Sequence, residues 1–308
     1  MIKLSICIPI FNTDIRPLGN ELNRQIQSFS SEVELLFLDD ASDVRFQEKN
    51  RNVGAFSHYI ELPKNIGRSK IRNAFLPLVK GEYLLFLDGD SEIIRLDFIE
   101  KYLQFIQQNE VELLVGGREE VKTPVSRSQK LRWEYSRKRE SKSTEERIKD
   151  EKSGFKSNNF IVRKSVFEHH LFDESITTYG HEDTLFGYQL RKKGIYCWHI
   201  DNPVLNDDLV DNVTFLQKTN QALVNLQMIS QKLNDSQFNE EQKLLNLALK
   251  IHKSTFLERS LLLLSKGLQP ILYKGLAKGY FSLWMFDLYR LMVLQRLIQR
   301  RTDQFFQF

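Results

Sequence analysis

The sequence predicts an α/β fold, a mostly parallel sheet with helices on both faces, followed by a helical extension. Three observations lead there. Short, near-continuous apolar runs alternate with segments of helical spacing over residues 3–117. Strands buried on both faces read this way, because crossover helices cover each side of a parallel sheet. Two of the runs end in paired carboxylates, Asp39-Asp40 and Asp88-Gly89-Asp90, and in open parallel sheets ligand-binding groups gather beyond the carboxyl ends of the strands. Past about residue 210 the pattern is helical to the end, with Pro270 and several glycines as breaks. The expected division is 1–210 for the sheet domain and 211–308 for the helical region.

The elements follow in order. LSICIPIF (4–11) is a strand ended by Asn12, LGNELNRQIQSF (18–29) has helical spacing, and VELLFLDD (33–40) is the second strand. SHYIEL (57–62) is the third. NIGRSKIRNAFLPLV (65–79) reads as a helix whose final turn holds Pro77, since proline deeper inside would clash with the preceding turn. Gly81 is a stop signal. YLLFLDGD (83–90) is the fourth strand, LDFIEKYLQFIQQN (96–109) an amphipathic helix, and VELLVGG (111–117) a further strand. Residues 126–153 are dense in both charge signs and carry two readings: a solvated helix laced with ion pairs, or a flap over the crevice with an Arg or Lys on a phosphate. FKSNNFIVRKSVF (155–167) is strand-like, 172–194 is a loop then a helix stopped at Gly194, and YCWHIDNPVL (196–205) is a last strand and turn.

The 308 residues carry a net charge of +4. Residues 251–308 hold nine Lys/Arg against three Asp/Glu, so the basic excess lies wholly in the tail. Basic plus apolar points to a membrane surface rather than nucleic acid, and no apolar run reaches the roughly 18 residues of a spanning helix. The alternative for the tail is packing on the sheet domain or on a second subunit. The start, MIKLSICIPIF, lacks a basic leader and a cleavage site, which sets the expectation of no signal peptide. Cys7 and Cys197 are expected as free thiols in a reducing cytoplasm.

Five motifs stand in order: PIFN (9–12), LDDAS (38–42), NIGRSKIRNAF (65–75), LDGDS (87–91) and GHEDTLFGYQLRKKG (180–194). Together they resemble glycosyltransferase family 2, the inverting nucleotide-sugar enzymes of the GT-A fold, over about residues 3–210. The resemblance implies that Pro9 and Phe11 shape a base pocket and that Asp40 accepts a hydrogen from a uracil ring, with Asp39 bracing the loop. It implies that Arg72 and Arg68 reach the base or diphosphate, that Asp88 faces the ribose, and that Gly89 lets the backbone approach the nucleotide. Asp90 holds Mn²⁺ or Mg²⁺, hard cations that prefer oxygen. The resemblance makes Asp183 the base that takes the proton of an acceptor hydroxyl, with Glu182, Tyr179, Gly180 and His181 positioning the acceptor or the loop. Asn158 or Asn159 lines the acceptor site. Many relatives place a histidine after the D-N-P turn as a second metal ligand; here Asn206 stands there, with Asp207 or Asp208 as substitutes, and His199 is expected to pack inside.

The implied activity is metal-dependent transfer from a UDP-sugar to a hydroxyl of a glycan or lipid-linked acceptor, on the cytoplasmic side or peripheral on the inner membrane face, in surface-polysaccharide synthesis. Two alternatives stay open: a nucleotide-sugar-binding subunit with weak or no catalysis, and a sugar nucleotidyltransferase. The latter usually needs a Gly-rich phosphate loop near the start, where PIFNTDIRP lacks one.

Overall fold

A computed structural model describes residues 2–53, 57–120, 126–150, 155–206 and 209–305, leaving aside the side chains of Asn206 and residues 300–305. In chain order the elements are β1 (Leu4–Ile10), α1 (Arg16–Ile26), β2 (Val33–Asp39), α2 (Val44–Asn50), β3 (Ser57–Glu61), α3 (Arg68–Ala74), β4 (Tyr83–Leu87) and β5 (Ser91–Ile93). There follow α4 (Phe98–Gln108), β6 (Leu113–Val115), β7 (Arg118–Glu120), α5 (Lys130–Tyr135), α6 (Thr144–Lys149), β8 (Asn159–Arg163) and α7 (Lys164–His169). Then come α8 (Glu182–Lys192), β9 (Cys197–His199), β10 (Val204–Asn206), α9 (Asn212–Leu233), α10 (Ser236–Glu241), α11 (Lys243–His252), α12 (Thr255–Ala277) and α13 (Leu283–Phe305).

Seven strands form one sheet in the order β3-β2-β1-β4-β8-β6-β9. The left half is parallel, with Cys7 opposite both Leu36 and Phe86. β8 runs antiparallel between β4 and β6, and β9 is parallel to β6. Alternate residues of each strand enter two cores. Ile6, Ile8, Leu35 and Leu85 meet Leu18 and Leu22 of α1 and Phe98 and Tyr102 of α4. Cys7, Leu36 and Phe86 meet Ile71 and Phe75 on the α3 side. That second core is aromatic: Phe172 and Phe186 stack with centroids 4.1 Å apart, and Phe86 stacks on Phe160 at 5.0 Å. Each such ring contributes about 1.5–3 kcal/mol by leaving water. The sheet is mixed and mostly parallel, with helices on both faces, as expected.

Three differences have local causes. α3 starts only at Arg68 and ends at Ala74, three residues before Pro77, with a turn over 75–78. α2 was not anticipated. The stretch 196–205 is two strands in different sheets: β9 ends the large sheet, and β10 pairs with β5 and β7 in a three-stranded one. Asn202 makes the break, donating from Nδ2 to Phe98 O at 3.0 Å while its backbone N–H bonds Gly116 O at 3.2 Å.

Two compact units divide the chain. The sheet unit comprises 1–121, 141–177 and 182–208; the helical unit comprises 122–140, 178–181 and 209–308. Two earlier pieces, 122–140 and 178–181, group with 209–308. Within the helical unit Asn212, the first residue of α9, accepts from Leu131 N at 2.9 Å and donates to Arg127 O at 2.9 Å and Ala277 O at 3.2 Å. Leu131, Phe215, Leu272, Leu276, Phe286 and Met292 form its core. Among the described residues no helix is long and apolar enough to cross a membrane.

Within 126–150 the charged stretch holds two short helices, α5 and α6, rather than one. It splits at 140 between the units, and residues 151–153 lie outside the described ones. Its Arg147 is 7% exposed and donates to Gly116 O at 3.2 Å and Ile200 O at 2.8 Å, so it closes the sheet edge. A capping box of Ser143 and Glu146 starts the helix that delivers it.

Candidate active site

Asp88 follows β4, and α3 supplies its counter-charge. Arg72 donates from Nη2 to Asp88 Oδ1 at 2.9 Å, and its Nη1 stands 4.0 Å from Glu182 Oε1 on α8. Arg68, one turn earlier, approaches the same Glu182 oxygen from Nε at 3.3 Å. A charge this deep persists only with such partners. The i,i+4 arginines are therefore a clamp between β4 and α8. Arg72 is 2% exposed and turned onto the carboxylates of Asp88 and Glu182. Arg68, with 42% of its side chain exposed, keeps access to the surface.

Asp40 starts the same helix. Its two oxygens accept from Ile66 N at 2.6 Å and Gly67 N at 2.9 Å, the residues just before α3. Burial raises its pKa above the ordinary carboxylate range, against those two N–H bonds and with the Asp39 charge adding to the rise. Asp40 is thus an anchor for the loop at 65–67, and uracil recognition would have to use lone pairs left over. Asp39 braces its loop, accepting from Ser42 N at 2.7 Å and from the Tyr59 hydroxyl.

The tips of β1 and β2 latch to each other. Asn12 N donates to Ser42 Oγ at 2.8 Å, and Asp43 N donates to Asn12 Oδ1 at 2.7 Å. Asn12 (φ 53°) and Ala41 (φ 57°) both take the left-handed conformation to do so. The latch leaves Phe11 53% exposed beside half-buried Pro9. Gly89 serves packing: a Cβ there would lie 3.3 Å from Pro9 O.

Asn158 lies in the turn before β8 and Asn159 is the first residue of the strand. Asn159 is fully buried, accepting from the Tyr102 hydroxyl at 2.6 Å and donating to Gly117 O and Asn202 O, both at 2.9 Å. It pins the core through these three bonds. Asn158 sends its carbonyl to Asp88 N at 3.1 Å, and its buried Nδ2 has no partner among the described residues.

Glu182 and Asp183 open α8, where the helix dipole favours anions. Asp183 Oδ1 accepts from Thr184 N at 2.7 Å, and Oδ2 lies 3.4 Å from Lys156 Nζ. Lys156 was not anticipated, although it directly precedes the Ser157-Asn158-Asn159 stretch. His181 (φ 66°) belongs to the helical unit with Thr178, Tyr179 and Gly180. There Asn225 of α9, 4% exposed, holds the segment: its Nδ2 faces the carbonyls of Thr178, Tyr179 and Gly180 at 3.3, 3.1 and 3.0 Å. Nothing in the spacing of α9 distinguishes Asn225 from a surface asparagine, so only the fold reveals it.

His199 is half-buried on β9; burial, aided by Arg147, lowers its pKa to about 4. Among the described residues no group of three His, Cys, Asp or Glu side chains forms a metal cage. Asp90 is half-buried and lines a hollow of about 520 Å³ with Thr13, Asp14, Pro17 and Glu92. The β5–β10 register sets the backbone of Asn206 opposite Ser91, next to Asp90. The Asn206 side chain, Asp207 and Asp208 lie outside the described residues. A hard divalent cation prefers oxygen donors such as the Asp90 carboxylate.

The family model for glycosyl transferase family 2 matches residues 5–171. An uncharacterized glycosyltransferase of Haemophilus influenzae is 31% identical over 117 residues, 37% of this chain and 46% of that protein. The poly(ribitol-phosphate) beta-N-acetylglucosaminyltransferase TarP of Staphylococcus aureus is 29% identical over 125 residues, 38% of this chain and 36% of that protein. The chain thus spans less than half the length of these relatives. Among solved structures, the mannosyltransferase PcManGT from Pyrobaculum calidifontis, in complex with GDP-Man and Mn²⁺, superposes with a TM-score of 0.61 at 12% identity, covering 98% of this chain and 87% of its own. That likeness concerns the fold. The family match takes in the latched strand tips, Arg68 and Arg72 of α3, and Asp88-Gly89-Asp90, and on it the chain belongs to glycosyl transferase family 2.

Proposed function

We propose that the protein is an inverting, metal-dependent glycosyltransferase that moves a sugar from a UDP-sugar to a hydroxyl of a glycan or lipid-linked acceptor. The observation that carries this reading is the α3 clamp: Arg72 ties Asp88, on the donor side, to Glu182, which adjoins the base Asp183. Donor and acceptor chemistry would then be held in register by one short helix.

An acceptor hydroxyl has far too high a pKa to attack unaided. Asp183 takes its proton as the acceptor oxygen bonds to the anomeric carbon, and the bond from that carbon to the diphosphate oxygen breaks. Attack from the face opposite the leaving group inverts the centre in one displacement. Lys156 Nζ stands 3.4 Å from Asp183 Oδ2 and helps to hold that carboxylate in place. Asn158, with its unpartnered Nδ2, offers a donor to the acceptor. Phe11 provides an exposed ring for the base. Asp90, with Asn206 as the second position, would hold a divalent cation, and that cation would neutralise charge on the leaving diphosphate.

The GDP-Man and Mn²⁺ of the matched structure support a nucleotide sugar and a metal as the donor pair, and leave the base to be tested. Nucleoside diphosphate release is therefore measured from UDP- and GDP-sugars, with Mn²⁺ or with a chelator. Release from a UDP-sugar only with metal is expected. Binding without turnover would instead mean a binding subunit, and pyrophosphate release from a nucleoside triphosphate with a sugar phosphate would mean a nucleotidyltransferase.

A further inference from the structure

The outer side of α12 has the composition of a surface-seeking helix. Ser265, Leu272 and Leu276 point into the helical unit. On the opposite side Phe256, Leu263, Leu264 and Ile271 are 79%, 70%, 61% and 58% exposed. Their spacing of seven, eight and fifteen residues puts them along one face. Gly267 lies on that face, and a Cβ there would meet nothing within 4 Å. The charges on α12 and its flanks are sorted as well. Lys253, Arg259, Lys266, Lys274 and Lys278 are all exposed. The one acid of α12, Glu258, is turned inward, with its Oε1 2.6 Å from His252 Nδ1 and accepting from Gln295 Nε2 at 3.0 Å. The outer face of α12 therefore presents apolar and cationic groups with no anion of its own. Tyr280 and Trp284, just beyond the helix, are 62% and 69% exposed, and such rings favour the membrane interface.

We infer that this face of α12 lies flat on an anionic lipid surface, with the four large apolar side chains in the interfacial zone and the cations among the headgroups. Charge complementarity selects this occupant. A second copy packed symmetrically on the same face would set these cations against their own duplicates. A spanning mode is excluded for this helix, because no described helix is apolar enough to cross a bilayer. The inference is independent of the proposed donor and reaction.

The test is sedimentation of the full chain with vesicles of phosphatidylcholine alone, or of phosphatidylcholine with a quarter or so phosphatidylglycerol. Binding to the anionic vesicles alone is expected, weakening with salt. Neutralising an exposed lysine, Lys266→Ala or Lys274→Ala, should weaken partitioning about fivefold each, and the exposed pair L263S/L264S should weaken it further. Circular dichroism confirms that these variants fold. No vesicle binding, equal binding to neutral and anionic vesicles, or binding unchanged in K266A/K274A would overturn the inference. So would a concentration-dependent dimer that L263S/L264S dissociates, which would assign the face to a second copy.

Discussion

Arg72→Met withdraws one cation from two carboxylates and leaves both in place. Arg72 is 2% exposed, and the side chains it serves, Asp88 and Glu182, are 22% and 8% exposed. Removing one partner of a buried pair costs about 3–5 kcal/mol, because a charge stays behind without compensation. Two features argue for the lower end. Water reaches Asp88, and Arg68 still approaches Glu182 at 3.3 Å. Methionine keeps most of the packing against Phe172, whose ring lies 5.5 Å from the guanidinium. The expected loss is about 3 kcal/mol at neutral pH, read as a lower urea midpoint at unchanged slope. Adding Asp88→Asn to Arg72→Met should return about 1–2 kcal/mol, since the stranded charge is then gone. Arg72→Lys should not rescue, because one ammonium cannot reach both carboxylates with the fork geometry of arginine. A loss under about 1 kcal/mol, with no coupling to Asp88→Asn, would refute the clamp.

Burial holds the His199 imidazole at about 4, against 6.5 ordinarily. Between those values the unfolded chain binds a proton that the native state refuses, so stability should fall as pH drops through that window. His199→Gln should flatten the slope, which stays below the one-proton limit of about 1.4 kcal/mol per pH unit because the ring is partly exposed; urea midpoints at several pH values check this, and parallel slopes would contradict it. Asn225→Ala strands three carbonyls of 178–180, and Gly180 has φ 103°, a conformation few other residues hold. Loss of about 1–3 kcal/mol and faster proteolysis at 178–181 are expected. Because this segment runs straight into Glu182-Asp183, kcat should fall more than donor KM rises; unchanged proteolysis and kcat would count against the role.

The parallel core was legible because β1, β2 and β4 are buried on both faces and read as unbroken apolar runs. The motif ends of those strands were legible for the same reason: polar residues after such runs mark where the sheet stops. Long-range bonding was not legible. Asn159 looked like Asn158, and only the neighbouring Tyr102, Gly117 and Asn202 assign it to the core. Arg147 was one cation in a stretch full of them, and its burial depends on the carbonyls of Gly116 and Ile200. Arg72 had the expected helix, but its bond to Asp88 and its approach to Glu182 show only in the fold. The 196–205 stretch is continuous in sequence while its backbone bonds divide it between two sheets.

The central claim is that Asp183 takes the acceptor proton, and Asp183→Asn with UDP-sugar, acceptor and Mn²⁺ tests it most directly. The variant is isosteric and keeps an oxygen for Thr184 N, so UDP affinity and the urea midpoint should match the parent while transfer falls by about 10²–10⁴-fold. Transfer that persists within severalfold of the parent, with UDP still bound, would contradict the account.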